Sequence, residues 1–160
     1  EGMGPFSIRY PRGRGVMAKW KTDFLEIKPG KGRTIREGGD VAILSIGHVG
    51  NEVVKACDEL GKTGIAVGHF DMRFLKPLDE DLLHTVLQKY RKIVTVEDGT
   101  IVGGLGTAVL EFVSEHDYHT KVKRLGVPDR FVGQGSPEEL YRECGYDAQG
   151  IMEAVKEMIA

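Results

Sequence analysis

Three observations predict an α/β fold, a three-layer α/β/α sandwich around a mostly parallel sheet of about five strands with one antiparallel edge strand. Short apolar runs at Val41–Ile46, 65–70, 93–96 and 122–125 have strand length. Segments with apolar residues at helical spacing separate them, and Gly, Pro, Asp or Ser marks most of the joins. A strand covered on both faces loses its apolar–polar alternation, so continuous apolar runs read as parallel strands with helices on each side.

The elements follow in chain order. Phe6-Ser7-Ile8-Arg9-Tyr10 alternates as a short strand does, and Pro11 ends it because proline has no N–H for a ladder. Residues 11–32 are rich in Gly, Pro, Lys and Arg and read as a loop or linker. Arg33–Arg36 forms a short edge strand, with Gly38-Gly39-Asp40 as the turn. After the strand Val41–Ile46, Val53, Cys57 and Leu60 make a helical stripe that Gly61 closes. Pro77 and Asp79 open the next helix, with Asp79 as N-cap and Leu82, Leu83, Val86 and Leu87 on one face. Gly103-Gly104 precedes a helix carrying Leu105, Ala108, Val109 and Phe112. Ser136-Pro137-Glu138-Glu139 is a helix start, with serine capping, proline in the first turn and Glu139 as capping-box partner. Asp147 caps a last helix with Ile151, Val155, Met158 and Ile159 inward.

Composition narrows the function classes. The chain has 160 residues, suited to one domain, and a net charge of −2, which argues against a nucleic-acid or anionic-membrane surface. No stretch approaches the ~20 apolar residues of a membrane span, and no secretory signal opens the sequence. Cys57 and Cys144 form no CxxC pair, so zinc and redox sites have little support; Cys57 reads as a buried structural thiol in a reducing cytoplasm. The sequence begins at Glu1 rather than Met, which predicts a fragment or a processed chain.

Few residues carry chemistry. Gly103-Gly104-Leu105-Gly106 precedes a helix, as a phosphate cradle does, but it matches neither GxGxxG nor GK[ST]. Close approach of helix to sheet is the better account. Glu97 and Asp98 end a parallel strand, where ligands of open α/β sheets bind; the alternatives are an acid or base and a carboxylate that pairs or caps locally. His48 is the best single histidine for a site, against a structural role in its turn. His116 and His119 share a polar loop with Asp117 but lack an evident third ligand. Arg9, Arg12 and Arg14 lie around a Pro–Gly loop that suits an anion, or else a solvated basic linker.

These segments, taken in order, resemble the 1-deoxy-D-xylulose-5-phosphate synthases, transketolase-type enzymes dependent on thiamine diphosphate. The resemblance rests on Ile8-Arg9-Tyr10-Pro11-Arg12-Gly13, the run 40–47, Met72-Arg73-Phe74-Leu75-Lys76-Pro77-Leu78-Asp79, Val94-Thr95-Val96-Glu97 with Gly103-Gly104-Leu105-Gly106, the run 125–131, and the run 144–151. It spans about residues 4–158. Asp98-Gly99 and His48-Val49-Gly50-Asn51 depart from the family pattern. The resemblance implies that residues 1–32 are the tail of a pyrimidine-binding domain plus linker and that 33–160 is a transketolase C-terminal domain.

It further implies a parent enzyme that condenses pyruvate with D-glyceraldehyde 3-phosphate, feeding isoprenoid, thiamine and pyridoxal synthesis. Thiamine diphosphate and Mg2+ belong to that parent, and this stretch binds neither. It is architectural, inactive alone, and partnered by the N-terminal and pyrimidine-binding domains in a homodimer, with no nucleic acid or membrane partner. The family pattern carries one substrate contact here, Arg12, toward the aldehyde phosphate. A single bond of that kind contributes about 1.5–3 kcal/mol, which leaves the dissociation constant above roughly 1 mM. The rivals are the C-terminal domain of transketolase or of a 2-oxoacid dehydrogenase β subunit, and a free-standing nucleotide-binding module.

Overall fold

A computed structural model describes residues 15, 23 and 25–160. The expected strand over residues 6–10, Arg12, and most of the basic linker lie outside the described residues. The elements are β1 (Arg33–Arg36), β2 (Val41–Ile46), α1 (Gly50–Lys62), β3 (Val67–Asp71), α2 (Glu80–Lys89), β4 (Lys92–Thr100), α3 (Leu105–Glu115), β5 (Lys121–Val127), α4 (Pro137–Cys144) and α5 (Ala148–Ile159). They build a five-stranded sheet in the order β1-β3-β2-β4-β5. β2, β3, β4 and β5 are parallel, and β1 runs antiparallel along β3, as the sequence predicts.

Side-chain alternation along the strands divides the core in two. Val41, Ile43, Val94 and Val96 face α1 and α5, where Val53, Cys57, Leu60, Ile151, Val155 and Met158 meet them. Ala42, Leu44, Phe70 and Ile93 face α2 and α3, against Leu83, Val86, Leu87, Val109 and Phe112. Every residue of β2 except the last is buried, which is why its sequence shows no alternation. Fully burying one such side chain stabilises the fold by about 1.5–3 kcal/mol, so both layers contribute heavily.

The caps explain where the helices start and stop. Asp79 accepts from the Leu82 amide, and its second oxygen accepts from the Gly32 amide at 2.8 Å, so one side chain starts α2 and anchors the approach to β1. Ser136 and Glu139 form the expected reciprocal box ahead of α4, and Asp147 accepts from Gly150 at the start of α5. Two expectations fail. Ile159, expected inward at the end of α5, is 40% exposed because the final helical position lies off the buried stripe of Ile151, Val155 and Met158. The end of α1 also differs. Gly61 does not close α1, which runs on to Lys62. Gly64 (φ +84°) takes the left-handed position instead, with the Ile65 amide donating to the Leu60 carbonyl and the Gly64 amide to that of Gly61. That pair of bonds is the Schellman ending, and it places Ile65 back against the core beside Leu60.

β1 holds to the sheet edge through ion pairs. Arg33 meets Asp71 at 3.0 Å and Arg36 meets Asp58 at 2.7 Å. Among the described residues no helix is long and apolar enough to cross a membrane.

Candidate functional site

The strand order creates the site. From β2 the chain crosses to β3 on one side and then returns to β4 on the other, so a crevice opens at the C-terminal ends of β2 and β4. Ile46 and Glu97 are register neighbours at that end, which brings His48, two residues after Ile46, close to Asp98, which follows Glu97. A pocket of about 370 Å³ lies there, mostly apolar, with Val127, Leu140 and Cys144 among its walls.

Glu97 and Asp98 are consecutive in a strand and therefore serve opposite faces. Glu97 is buried, 4% exposed, and turns to the α3 side. Its two oxygens accept from the amides of Leu105 at 2.8 Å and Gly106 at 2.9 Å, the first turn of α3. Unpaired amides and the positive end of the helix dipole make such a spot a natural anion seat. Here the protein's own carboxylate fills it. A β-carbon on Gly104 would lie 1.9 Å from the Glu97 carboxylate, so glycine is required for this close approach. The capping alternative for Glu97 holds, and the glycine-rich segment is not open to phosphate.

Asp98 turns to the other face and joins a polar cluster. Its Oδ1 accepts from the Tyr146 hydroxyl at 3.2 Å, and its Oδ2 lies 3.3 Å from His48 Nε2. The same Nε2 lies 2.5 Å from the Tyr141 hydroxyl. His48 and Asp98 are about three-quarters buried, with side-chain exposures of 28% and 25%. Burial, reinforced by the Asp98 charge, raises the pKa of both phenols, so Tyr141 and Tyr146 stay protonated at neutral pH. Burial also raises the Cys144 thiol. With these groups protonated, the cluster offers hydrogen-bond donors and acceptors to the pocket. Its geometry ties the β2–α1 turn, the end of β4, α4 and the start of α5 into one unit.

The sequence singles out His48 and Asp98 separately, and the structure brings them together. Sequence reasoning misses the part played by Tyr141, Cys144 and Tyr146: the first two lie in α4, which is short and buries no residue fully, and Tyr146 follows its end. His116 stacks on Phe112 at 4.1 Å and meets His84 edge-on at 4.8 Å, an aromatic packing role. No group of three His, Cys, Asp or Glu side chains fit to hold a metal occurs among the described residues. Cys57 is buried and its thiol pushed up to about 11 by desolvation, as a structural cysteine is.

Neither thiamine diphosphate nor its Mg2+ fits these residues. The α3 amides are taken by Glu97, the pocket presents the Asp98 carboxylate, and among the described residues no group of three His, Cys, Asp or Glu is placed to hold a metal.

Comparison with known proteins is consistent with this picture. The family model described as Transketolase, C-terminal domain, matches residues 30–151. The 1-deoxy-D-xylulose-5-phosphate synthase of Cytophaga hutchinsonii is 56% identical over 97% of this chain and 24% of its own length. Those of Parabacteroides distasonis and Porphyromonas gingivalis are 51% and 47% identical over 96% and 98% of the chain, covering 24% and 25% of their lengths. The chain thus spans about a quarter of the curated relatives it matches. Among solved structures, a split-gene transketolase described as an inactive beta4 tetramer superposes with a TM-score of 0.78 and 35% identity, over 84% of this chain and 44% of that one.

Proposed function

The chain belongs to the transketolase C-terminal domain family, and from that premise we propose that it is the closing domain of a synthase that condenses pyruvate with D-glyceraldehyde 3-phosphate to 1-deoxy-D-xylulose 5-phosphate. The observation that carries the reading is 56% identity across nearly the whole chain to a synthase four times longer. In this reading residues 33–160 form the domain, and residues 1–32 are the tail and linker of the pyrimidine-binding domain. Arg12 contacts the aldehyde phosphate in the assembled enzyme. Thiamine diphosphate, which supplies the electron sink for decarboxylation, and its Mg2+ are held by the other domains. The assembled enzyme is a cytoplasmic homodimer.

The chain's own residues act by shape. The His48–Asp98–Tyr141–Tyr146 cluster fixes α4 and the start of α5 over the sheet, and Glu97 fixes α3. With both anion-ready amides satisfied and the nearby thiol and phenols held protonated, the domain alone neither binds nucleotide nor performs carboligation. The transketolase likeness supports the fold, and the higher identity favours the synthase over transketolase itself.

A thermal-shift screen of the 160-residue chain with thiamine diphosphate, ATP and NAD tests this. The reading expects no stabilisation by any of them. A rise of several degrees with a nucleotide supports the free-standing module and contradicts the proposal.

A further inference from the structure

We propose that the β3–α2 loop, together with the approach to β1, is the docking face for the preceding part of the longer polypeptide. This rests on the reading of the chain as one domain of a longer synthase. The loop leaves the C-terminal end of β3 in an unusual backbone path. Arg73 takes φ 57°, a left-handed conformation that non-glycine residues reach only at a cost of order 1–3 kcal/mol. Asp71 holds it there by accepting from the Arg73 amide at 3.1 Å, and the Phe74 amide donates to the Met72 carbonyl. What this path displays is Leu75, 42% exposed, between Arg73 and Lys76. Neither cation has an ion pair among the described residues, whereas Lys31, Arg33 and Arg36 close by are all paired.

The approach to β1 adds to the same face. Leu25 and Ile27 are 83% and 53% exposed. Gly30 rests on the loop, since a β-carbon there would lie 2.8 Å from Pro77. Ile27 is three residues earlier, so at about 3.5 Å per residue it lies within roughly 11 Å of that contact. Ile27 and Leu75 are thus exposed apolar residues on either side of the Gly30–Pro77 contact, and Arg73 and Lys76 near Leu75 carry no ion pair among the described residues. The relatives have about three-quarters of their length beyond the matched region, which is ample chain to cover it. The occupant this face fits is a neighbouring domain with an apolar patch rimmed by carboxylates.

The test replaces the matching quarter of the Cytophaga hutchinsonii synthase with this chain and compares the chimera with the 160-residue chain. Amide hydrogen exchange is read over residues 72–77, and Leu75→Ser and a double Arg73→Glu, Lys76→Glu variant are made in both forms. The expected result is at least about ten-fold slower exchange of 72–77 in the chimera. Leu75→Ser and the charge reversal lower its melting temperature by several degrees and leave the 160-residue chain nearly unchanged. Unchanged exchange in a chimera that makes 1-deoxy-D-xylulose 5-phosphate overturns the docking face and leaves the synthase reading standing. Protection that appears in the 160-residue chain only as its concentration rises assigns the face to a second copy and also overturns it. Protection in an inactive chimera supports the docking face while removing the activity reading, and an inactive, unprotected chimera overturns both.

Discussion

Replacing Glu97 with glutamine probes how this domain uses an anion seat without an anion ligand. The carboxylate accepts from two α3 amides at 2.8 and 2.9 Å in a site 4% exposed. Glutamine keeps one accepting oxygen and turns an N–H toward the other amide, so one bond is lost and the remaining one is no longer charge-assisted. A hydrogen bond to a charged group contributes about 1.5–3 kcal/mol, and a buried unpaired amide costs about 1–3 kcal/mol. Loss of the charge–dipole interaction removes up to about 1–2 kcal/mol. These terms overlap, and a net loss of about 2–4 kcal/mol is expected, a large share of a typical 5–15 kcal/mol. Urea unfolding followed by circular dichroism measures it. Glu97→Ala adds a second readout, because it leaves both amides open: millimolar inorganic phosphate should stabilise that variant and not the parent. A Glu97→Gln loss under about 0.5 kcal/mol, the range of an ordinary surface change, refutes the capping argument.

Other consequences are as concrete. His69 is buried, donates to or accepts from Ser45 at 2.8 Å, and has no partner for Nδ1 among the described residues. Burial lowers its pKa from 6.5 to about 4, with Asp71 opposing and Arg36 and Arg33 assisting. The unfolded chain therefore binds the proton more readily, so stability is full above about pH 6.5 and falls as pH drops toward 4. The loss is of order 3 kcal/mol. His69→Gln should flatten that part of the stability profile, and an unchanged slope counts against the assignment. Ser136→Ala removes the α4 capping box at a cost of about 1 kcal/mol, or about 2–4 °C in melting temperature. Tyr141→Phe removes the hydroxyl next to His48 and should speed hydrogen exchange in α4 while leaving α2 untouched. Equal acceleration in both helices would show a global effect instead of the local tie.

The local physics of this chain is legible because it is written in short-range patterns. Asp79, Ser136 and Asp147 each stand directly before the helix they cap, and Val41–Ile46 announces its double coverage by its continuous apolar run. The end of α1 is harder to read. Gly61 and Gly64 both suit a left-handed turn, and only the return of Ile65 to the core selects Gly64. The site is harder still. His48 and Tyr141 are 93 residues apart, and Tyr146 and Asp98 are 48 apart. No local pattern pairs them, because the crossover between β2 and β4 does so. The opposite duties of Glu97 and Asp98 follow from strand alternation, but only once β4 is known to extend beyond Val96 to Thr100.

The most direct measurement is the formation of 1-deoxy-D-xylulose 5-phosphate from pyruvate and D-glyceraldehyde 3-phosphate, with thiamine diphosphate and Mg2+ present. The 160-residue chain alone is compared with the Cytophaga chimera that carries it. The account predicts no product from the chain and turnover by the chimera. Product from the chain alone, or a correctly folded chimera with none, would contradict it.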